Sequence, residues 1–468
     1  MTSWDSPRIT LIVVILGALF VISVYSGLSS EGLMQFREHR GMANYNMFAQ
    51  AILSGKVSIG EIPLRILGPN SDVRDPVACP PPVIDLIAYG GKYYLLQEPL
   101  PVLFHAWSLL ILGKELPTGI VIILLACGSL VVLGLIITKL RTFFFIDSPK
   151  WLIFVALSYF AFSGMQLYMV SRQVIYHETI VAAAFFMLLG TLFFFRGLEA
   201  SSNEKVWFGL SGLFFGASVA SKISMVWYPI CFWSLYVAFQ ISKEVSFRRL
   251  VVRTVYFVAP LACFFSILLI YNYLRFGDPT DFGRTHVVLP SKDLYKYCIL
   301  EDNFLRLAHV PYNLANYFIR FPELVWWRGL PWIDFPLEMI SNGNVLVVNE
   351  NTACLFVMAP ALLLCLSLPY ILGTCSKNKS FYLVVAVCCV PSVVTFLFYT
   401  TLMRAVPRYL YEFTPLAYVL IYVILACLWQ RFRADSFGRT AFIVVTSLVF
   451  VANFIMGYYL GLNGMVQG

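Results

Sequence analysis

Charge is scarce in this chain. Asp, Glu, Lys and Arg make up 12% of its 468 residues, against about 25% in soluble domains. That shortage, with 59% hydrophobic residues and a mean hydropathy of +0.78, excludes a water-soluble globule. Internal repeats are also lacking, which counts against transporter folds built from repeated halves. The eleven cysteines show no metal-ligand spacing. Most of them (Cys127, Cys231, Cys263, Cys365, Cys388, Cys389, Cys427) sit in apolar stretches, where Cys behaves as a small hydrophobe. Cys79 and Cys298 fall in polar segments, and an oxidising compartment would allow a disulfide between them. The first apolar stretch lacks an Ala-x-Ala-like cleavage site and a strongly basic leader, so it reads as a retained helix rather than a secretory signal.

What the chain has is long apolar runs. Residues 9–26, 118–140, 151–169 and 179–195 each approach the ~20 apolar residues that a bilayer-spanning helix needs. Further runs lie near 206–220, 225–241, 255–273, 354–372, 381–400, 409–429 and 441–460. An open sheet edge is not tolerable in lipid, so the fold class expected is an all-α integral membrane protein with about eleven transmembrane helices. Residues 1–468 read as one polytopic domain. Two long polar loops, 29–98 and 272–350, interrupt it on one side.

Orientation follows from Lys and Arg in the short loops. Alternate loops carry Lys139, Arg141 and Lys150; Arg196 and Lys205; Lys243, Arg248, Arg249 and Arg253; Lys377 and Lys379; and Arg431, Arg433 and Arg439. The opposite short turns hold only Arg172, Lys222, Arg404 and Arg408. The rich side is expected to be cytoplasmic, which puts the N-terminus inside, and the C-terminus and both long loops outside. The net charge of +8 is then a topology signal, and nucleic acid is not an expected partner.

The first long loop opens with Asn44–Leu53, where Phe48, Ile52 and Leu53 share a helical face suited to the membrane interface. A Pro-rich connector follows (Pro63, Pro69, Pro76, Pro80, Pro81, Pro82), then Tyr89-Gly-Gly-Lys-Tyr-Tyr, which reads as a tight turn entering a strand. Residues 99–112 are apolar but too few to span, so an interfacial or re-entrant helix is expected. The second loop holds Trp326, Trp327 and Trp332, as at a lipid–water boundary.

Three constellations could carry chemistry. The first gathers Asp72, Asp75, Asp85, Lys92, Tyr93, Tyr94 and Glu98 in the first loop. Asp72 reads as a solvated acid. Asp85 stands among Val83, Ile84, Leu86 and Ile87, a setting that raises a carboxyl pKa and suits a general base or a substrate contact. The second is Arg172-Gln-Val-Ile-Tyr-His-Glu178. Glu178 either meets the N-terminal dipole of its helix or orients a sugar hydroxyl or metal, with Tyr176 and His177 as hydrogen-bonding partners. One His beside one Glu does not by itself make a metal site. The third is the outward cations Lys222, Arg275, Arg404 and Arg408. Snorkelling accounts for any one of them, whereas a lipid-linked phosphate or diphosphate accounts for the group. Glu412, one helical turn past Arg408, offers that arginine a competing partner.

Taken in order, these segments resemble the C-type (GT-C) polytopic glycosyltransferases, and within them a bacterial branch. The matching positions are Tyr45-Asn46 with Ala49 and Gly55, Asp75-Pro76, Asp85 with Gly90-Gly91-Lys92-Tyr93-Tyr94, and Pro99-Leu-Pro101. Tyr176-His-Glu178, Gly216 to Ser221-Lys222, Tyr271 to Pro279 with Phe282-Gly283, and Pro407-Arg408-Tyr409 follow. The chain has one Gly more than the family pattern before Lys92, and 41–45 holds no Asp or Glu where the superfamily places its first acid. The resemblance implies a membrane enzyme of the bacterial inner membrane. It would move a sugar, with inversion, from a polyprenyl-phosphate donor to a glycan, lipid or protein acceptor at the extracytoplasmic face. The catalytic base stays open among Asp85, Glu38 and Glu178. Substrate contacts are expected from Asp75, Lys92, Tyr93, Glu98, Tyr176, His177, Lys222, Arg275, Arg404 and Arg408, and a divalent cation (Mg or Mn) is an optional cofactor. A transporter or flippase of a lipid-linked or anionic substrate is the alternative from another class. A ligase or polymerase using a diphosphate-linked oligosaccharide is a third reading.

Overall fold

The computed structural model describes residues 7–29, 44–61, 86–199, 203–287, 305–327, 330–334, 338–342, 345–349, 353–374 and 379–466. Asp75, Asp85, Glu38, Cys79 and Cys298 lie outside the described residues, as does the Pro-rich connector from Pro63 to Pro82.

The helices in chain order are α1 (Pro7–Ser29), α2 (Asn44–Leu53), α3 (Val102–Leu112), α4 (Thr118–Phe144), α5 (Trp151–Ala161), α6 (Gly164–Ser171), α7 (Ile175–Glu199), α8 (Glu204–Ser221), α9 (Trp227–Ile241) and α10 (Phe247–Phe276). After them come α11 (Val310–Phe318), α12 (Leu355–Met358), α13 (Leu368–Thr374), α14 (Lys379–Thr400), α15 (Pro407–Phe432) and α16 (Ser436–Val466). Among the described residues seven helices are long and apolar enough to cross a membrane, or eight if α5 and α6 count as one bent span. The chain is thus a multi-pass membrane protein, and the described residues alone account for seven or eight of the eleven expected spans. The 354–372 run departs most from expectation. It breaks into α12, a 3-10 segment Pro360–Ser367, and α13, where Pro360 and Pro369 remove backbone donors.

α15 is the axis of the bundle, buried along most of its length. It packs against α5, α7 and α14, while α8 lies between α7 and α10. Glycine sets the tightest crossings. A Cβ on Gly212 of α8 would stand 1.9 Å from the Phe257 carbonyl oxygen of α10, and one on Gly457 of α16 would stand 2.3 Å from the Phe162 carbonyl oxygen.

The 151–169 run is expected as one helix, yet it turns by 50° between α5 and α6. A break inside lipid frees carbonyls that must find donors. Three side chains supply them. Tyr25 donates to Ala161 O (3.0 Å), Asn453 to Tyr159 O (2.9 Å) and Ser163 to Phe160 O (3.0 Å).

The strands are short and lie in the loop segments. β1 (Gly60–Glu61), β2 (Leu86–Tyr89) and β3 (Lys92–Leu95) form one antiparallel sheet in the order β1-β3-β2. Gly90 and Gly91, at φ +55° and +74°, make its two-residue turn, as the Gly-Gly pair predicts. β4 (Glu323–Trp327) and β5 (Leu330–Asp334) form a hairpin, and β6 (Glu338–Asn342) with β7 (Val345–Asn349) forms another, extended by β8 (Arg404–Ala405). α2 and α3 appear where expected, and α2 packs on α3. The face of α2 differs from expectation, however: Phe48 is buried against Tyr271, while Ile52 and Leu53 are exposed.

The two ends of the bundle differ in chemistry. At the far end of α7, Glu199 pairs with Lys139 of α4, and Glu204 is gripped by Arg249 (3.0 Å) and by Arg253. Glu178 lies at the near end, twenty-one residues before Glu199 and so about 31 Å away along the helix, roughly one hydrocarbon thickness.

The glycine crossing is testable. Gly212→Ala is expected to destabilise the detergent-solubilised chain by about 1–3 kcal/mol through overpacking, read as a lower thermal midpoint. Gly209→Ala, one turn earlier with 3.7 Å of clearance from Tyr256 O, is the control. Equal midpoints for the two would contradict the close crossing.

Candidate functional site

The near end of the bundle gathers most of the described candidate residues. It is built from the turn between β3 and α3, the turn before α7, the junction of α8 with the 3-10 segment Ile223–Val226, and the start of α15. Pro99 and Pro101 stiffen the first of these, and Leu100 N–H donates to Ala220 O (3.3 Å), docking that turn on the end of α8. Glu98 is thereby held half-buried against the α8 junction. Its Oε1 accepts from Ile223 N–H (2.9 Å), and its Oε2 lies 3.7 Å from Lys222 Nζ. Burial alone would pull the Lys222 ammonium down, but the carboxylates of Glu98 and Glu412 outweigh it and hold it above the usual lysine value.

Glu412, one and a half turns into α15, is fully buried. Its Oε2 accepts from Ser224 Oγ (2.5 Å) and from the Tyr399 hydroxyl, while the Tyr228 hydroxyl donates to its backbone carbonyl (2.8 Å). Its Oε1 is buried with no hydrogen-bond partner among the described residues. Glu412 therefore serves the Ser224–Tyr399–Lys222 corner and makes no ion pair with Arg408 among the described residues. Arg408 is itself buried, its guanidinium 5.0 Å from the Tyr176 ring centroid and 5.6 Å from that of Tyr409, within cation–π range.

A second buried cluster adjoins the first. Glu178 Oε1 lies 2.9 Å from His105 Nε2, and His105 Nδ1 lies 2.8 Å from Asn46 Oδ1. Tyr45 stacks on the His105 ring at 5.7 Å and donates its hydroxyl to Glu98 O (2.7 Å), which joins the two clusters. His177 faces away, its Nδ1 2.9 Å from Met169 O and its ring against Tyr168.

The remaining candidates hold other positions, although Arg275 is still near enough to feel the Glu98 charge. Arg275 donates to Leu95 O (2.9 Å) and Asn272 Oδ1 (2.6 Å) and stacks on Tyr271 and Phe276, bracing the hairpin on α10. Tyr93 is buried in β3, and Lys92, its neighbour in the strand, is exposed. Arg404 is half-buried in β8, beside β7. Sequence reasoning missed His105, Ser224 and Tyr399, took Asn46 only as a motif position, and took Glu412 only as a partner for Arg408. Among the described residues no group of three or more His, Cys, Asp or Glu gathers to hold a metal ion. Asn46, His105 and Glu178 supply one carboxylate, too few donors for a hard divalent cation.

No protein-family model matches the chain, and no curated protein is detectably similar in sequence. Solved structures do match. An Archaeoglobus fulgidus oligosaccharyltransferase in the apo form superposes on 99% of this chain and 57% of its own, with a TM-score of 0.57 and 11% identity. The archaeal oligosaccharyltransferase AglB from Archaeoglobus fulgidus, in complex with an inhibitory peptide and a dolichol-phosphate, matches 96% of this chain and 55% of its own, with a TM-score of 0.52 and 10% identity. ArnT from Cupriavidus metallidurans in the apo state has 12% identity over 98% of this chain and 76% of its own, at a TM-score of 0.49. The chain spans a little over half the length of the oligosaccharyltransferases it matches. The fold is the GT-C membrane fold.

The Lys222–Glu98 pair yields a sign-defined test. Glu98→Gln removes the carboxylate that holds the ammonium up, so the neutral amine fraction at mildly alkaline pH rises. Acylation of Lys222, followed by mass spectrometry at about pH 9, slightly below the usual lysine pKa, is expected to speed up severalfold relative to wild type. An unchanged rate would separate Glu98 from the Lys222 charge.

Proposed function

We propose that this chain, with its GT-C fold, is a membrane glycosyltransferase. It would take a sugar from a polyprenyl-phosphate donor and pass it to an acceptor hydroxyl at the extracytoplasmic face. The observation that carries the reading is the meeting of Lys222, Arg408 and Tyr176 at one end of the bundle. Lys222 and Arg408 are cations at the lipid boundary, and Glu98 sits on Lys222 where a phosphate would sit. The AglB structure in complex with a dolichol-phosphate shares the fold, which supports a lipid-phosphate ligand for this chain.

The proposed chemistry is short. The donor phosphate displaces Glu98 from Lys222 and takes charge-assisted hydrogen bonds from Lys222 and Arg408. The acceptor oxygen attacks the anomeric carbon from the face opposite the phosphate, and the bond from that carbon to the phosphate oxygen breaks with inversion. The bonding electrons leave with the polyprenyl phosphate, whose growing charge Lys222 and Arg408 stabilise. The hydroxyl proton passes to a carboxylate, for which the sequence offers Asp85, Glu38 and Glu178. A phosphate of this kind leaves without protonation, so a second acid is not required. A divalent cation would add Lewis acidity at the phosphate, but the described residues do not form a site for one. The side assignment rests on the charge at the other end, where Lys139, Arg249 and Arg253 cluster as expected of a cytoplasmic face.

The test is transfer from a defined polyprenyl-phosphate sugar to candidate acceptors by chain reconstituted in liposomes. Lys222→Met and Arg408→Gln are each expected to cost about 10²-fold in transfer, the scale of losing one transition-state donor. Asp85→Asn tests the first-loop acid in the same assay. Movement of the donor across the bilayer without covalent product would overturn the transferase reading in favour of transport.

A further inference from the structure

The hydrogen bonds around His105 determine where a proton sits. Asn46 is locked by one residue's backbone: its Nδ2 donates to Leu116 O (3.0 Å), and its Oδ1 accepts from Leu116 N–H (3.3 Å). Turning the amide over would set N–H against N–H and oxygen against oxygen, so Oδ1 is the atom that also faces His105. An amide oxygen only accepts. His105 Nδ1, 2.8 Å away, must therefore carry hydrogen, which leaves the Nε2 of a neutral ring as a bare lone pair. That Nε2 lies 2.9 Å from Glu178 Oε1. Two lone pairs at that distance repel, so a proton must stand between them.

We propose that Asn46, His105 and Glu178 form a positioning relay that holds one proton between His105 Nε2 and Glu178 Oε1. The pair is net neutral and serves the Lys222–Arg408 anion site rather than acting as the general base. Imidazolium with carboxylate and imidazole with carboxylic acid carry the same total charge, so the statement does not depend on which atom is nearer the proton. Neutrality also explains how Glu178 and His105 are both fully buried, where a bare carboxylate would be costly. Taking a second proton from an acceptor hydroxyl would leave a buried positive charge. Among the described residues, Arg172 and Arg408 lie close enough to act on the adjoining His177, so a further positive charge beside it is disfavoured. The base is then sought among the first-loop acids Asp85 and Glu38.

The route from relay to anion site runs through Tyr45. Its ring lies nearly parallel to His105, and its hydroxyl holds the carbonyl of Glu98, the residue that touches both Lys222 and Ile223 N–H. Turning the imidazole would shift Tyr45, then Glu98, then the ammonium.

The experiment has two arms, of which only the second rests on the glycosyltransferase reading. In the first, full-length chain labelled with 15N-histidine is purified in detergent, and His105 is assigned by comparison with His105→Gln. Hydrogen on Nδ1 is expected. A neutral ring with bare Nδ1 and hydrogen on Nε2 would overturn the proposal. In the second, Glu178→Gln keeps an N–H donor facing Nε2. It is expected to lower transfer about tenfold, as loss of a supporting shell does, mostly through donor KM and with the acidic limb of the pH–rate profile in place. Glu178→Ala, with no donor, is expected to lose more. If Glu178→Gln keeps its thermal midpoint, loses about 10²-fold or more in kcat and loses the acidic limb, Glu178 is the base and the proposal fails while the transferase reading stands. If wild type transfers from no polyprenyl-phosphate sugar, the transferase reading fails and the 15N arm alone decides the relay.

Discussion

A charge carried to the depth of a lipid bilayer must be matched or neutralised, and the near end of this bundle is arranged around that demand. Glu98 is matched by Lys222 and a backbone N–H. Glu412 is met on one oxygen by two hydroxyls, Arg408 lies over an aromatic face, and Glu178 meets an imidazole. Each match comes from a different helix or turn, so satisfying the charges also brings the segments to one place. Packing elsewhere in the bundle is mainly apolar and, at the glycine crossings, close enough to fix helix positions. The polar end therefore inherits a rigid frame.

How much of this could be read in the sequence depended on how local its cause was. Most of the long apolar runs, the Gly90-Gly91 turn and the short α3 follow from composition and spacing within a few residues and appear as read, the 151–169 and 354–372 runs excepted. Two features arise from contacts across the fold. The bend after α5 falls at Ser163-Gly164, where Ser163 caps α6, in an otherwise apolar run without proline, and two of the freed carbonyls find donors more than a hundred residues away. His105 sits inside Val-Leu-Phe-His-Ala-Trp-Ser-Leu-Leu, with nothing local to mark it, and its partners are 59 and 73 residues distant in the chain. Glu412 carried a visible signal, an acid in a span, but the neighbour read for it was Arg408, one turn away. The structure supplies Ser224 and Tyr399 instead. Local spacing overvalues local partners.

The same contrast bears on the four cations expected from the sequence to face outward. Sequence alone treated them as a group because all violate the positive-inside pattern. In the fold they divide. Lys222 and Arg408 flank the Glu98–Tyr176 region, whereas Arg275 spends its donors on Leu95 O and Asn272, and Arg404 belongs to a strand edge beside β7. A guanidinium with its hydrogen bonds already committed to the backbone is a brace. This division leaves Lys222 and Arg408 together at that end of the bundle, near enough for the Arg408 charge to act on the Lys222 ammonium.

The bend between α5 and α6 changes how substitutions in a distant helix should be judged. On any transfer scale, replacing Asn453 of α16 by leucine exchanges a polar side chain in a membrane helix for one that lipid accepts. Here it would instead strand the Tyr159 carbonyl of the adjoining α5 in hydrocarbon, 294 residues away in the chain. Apolarity at that site is not tolerance, and a variant scored as benign by hydropathy would loosen the kink that gives this bundle its shape.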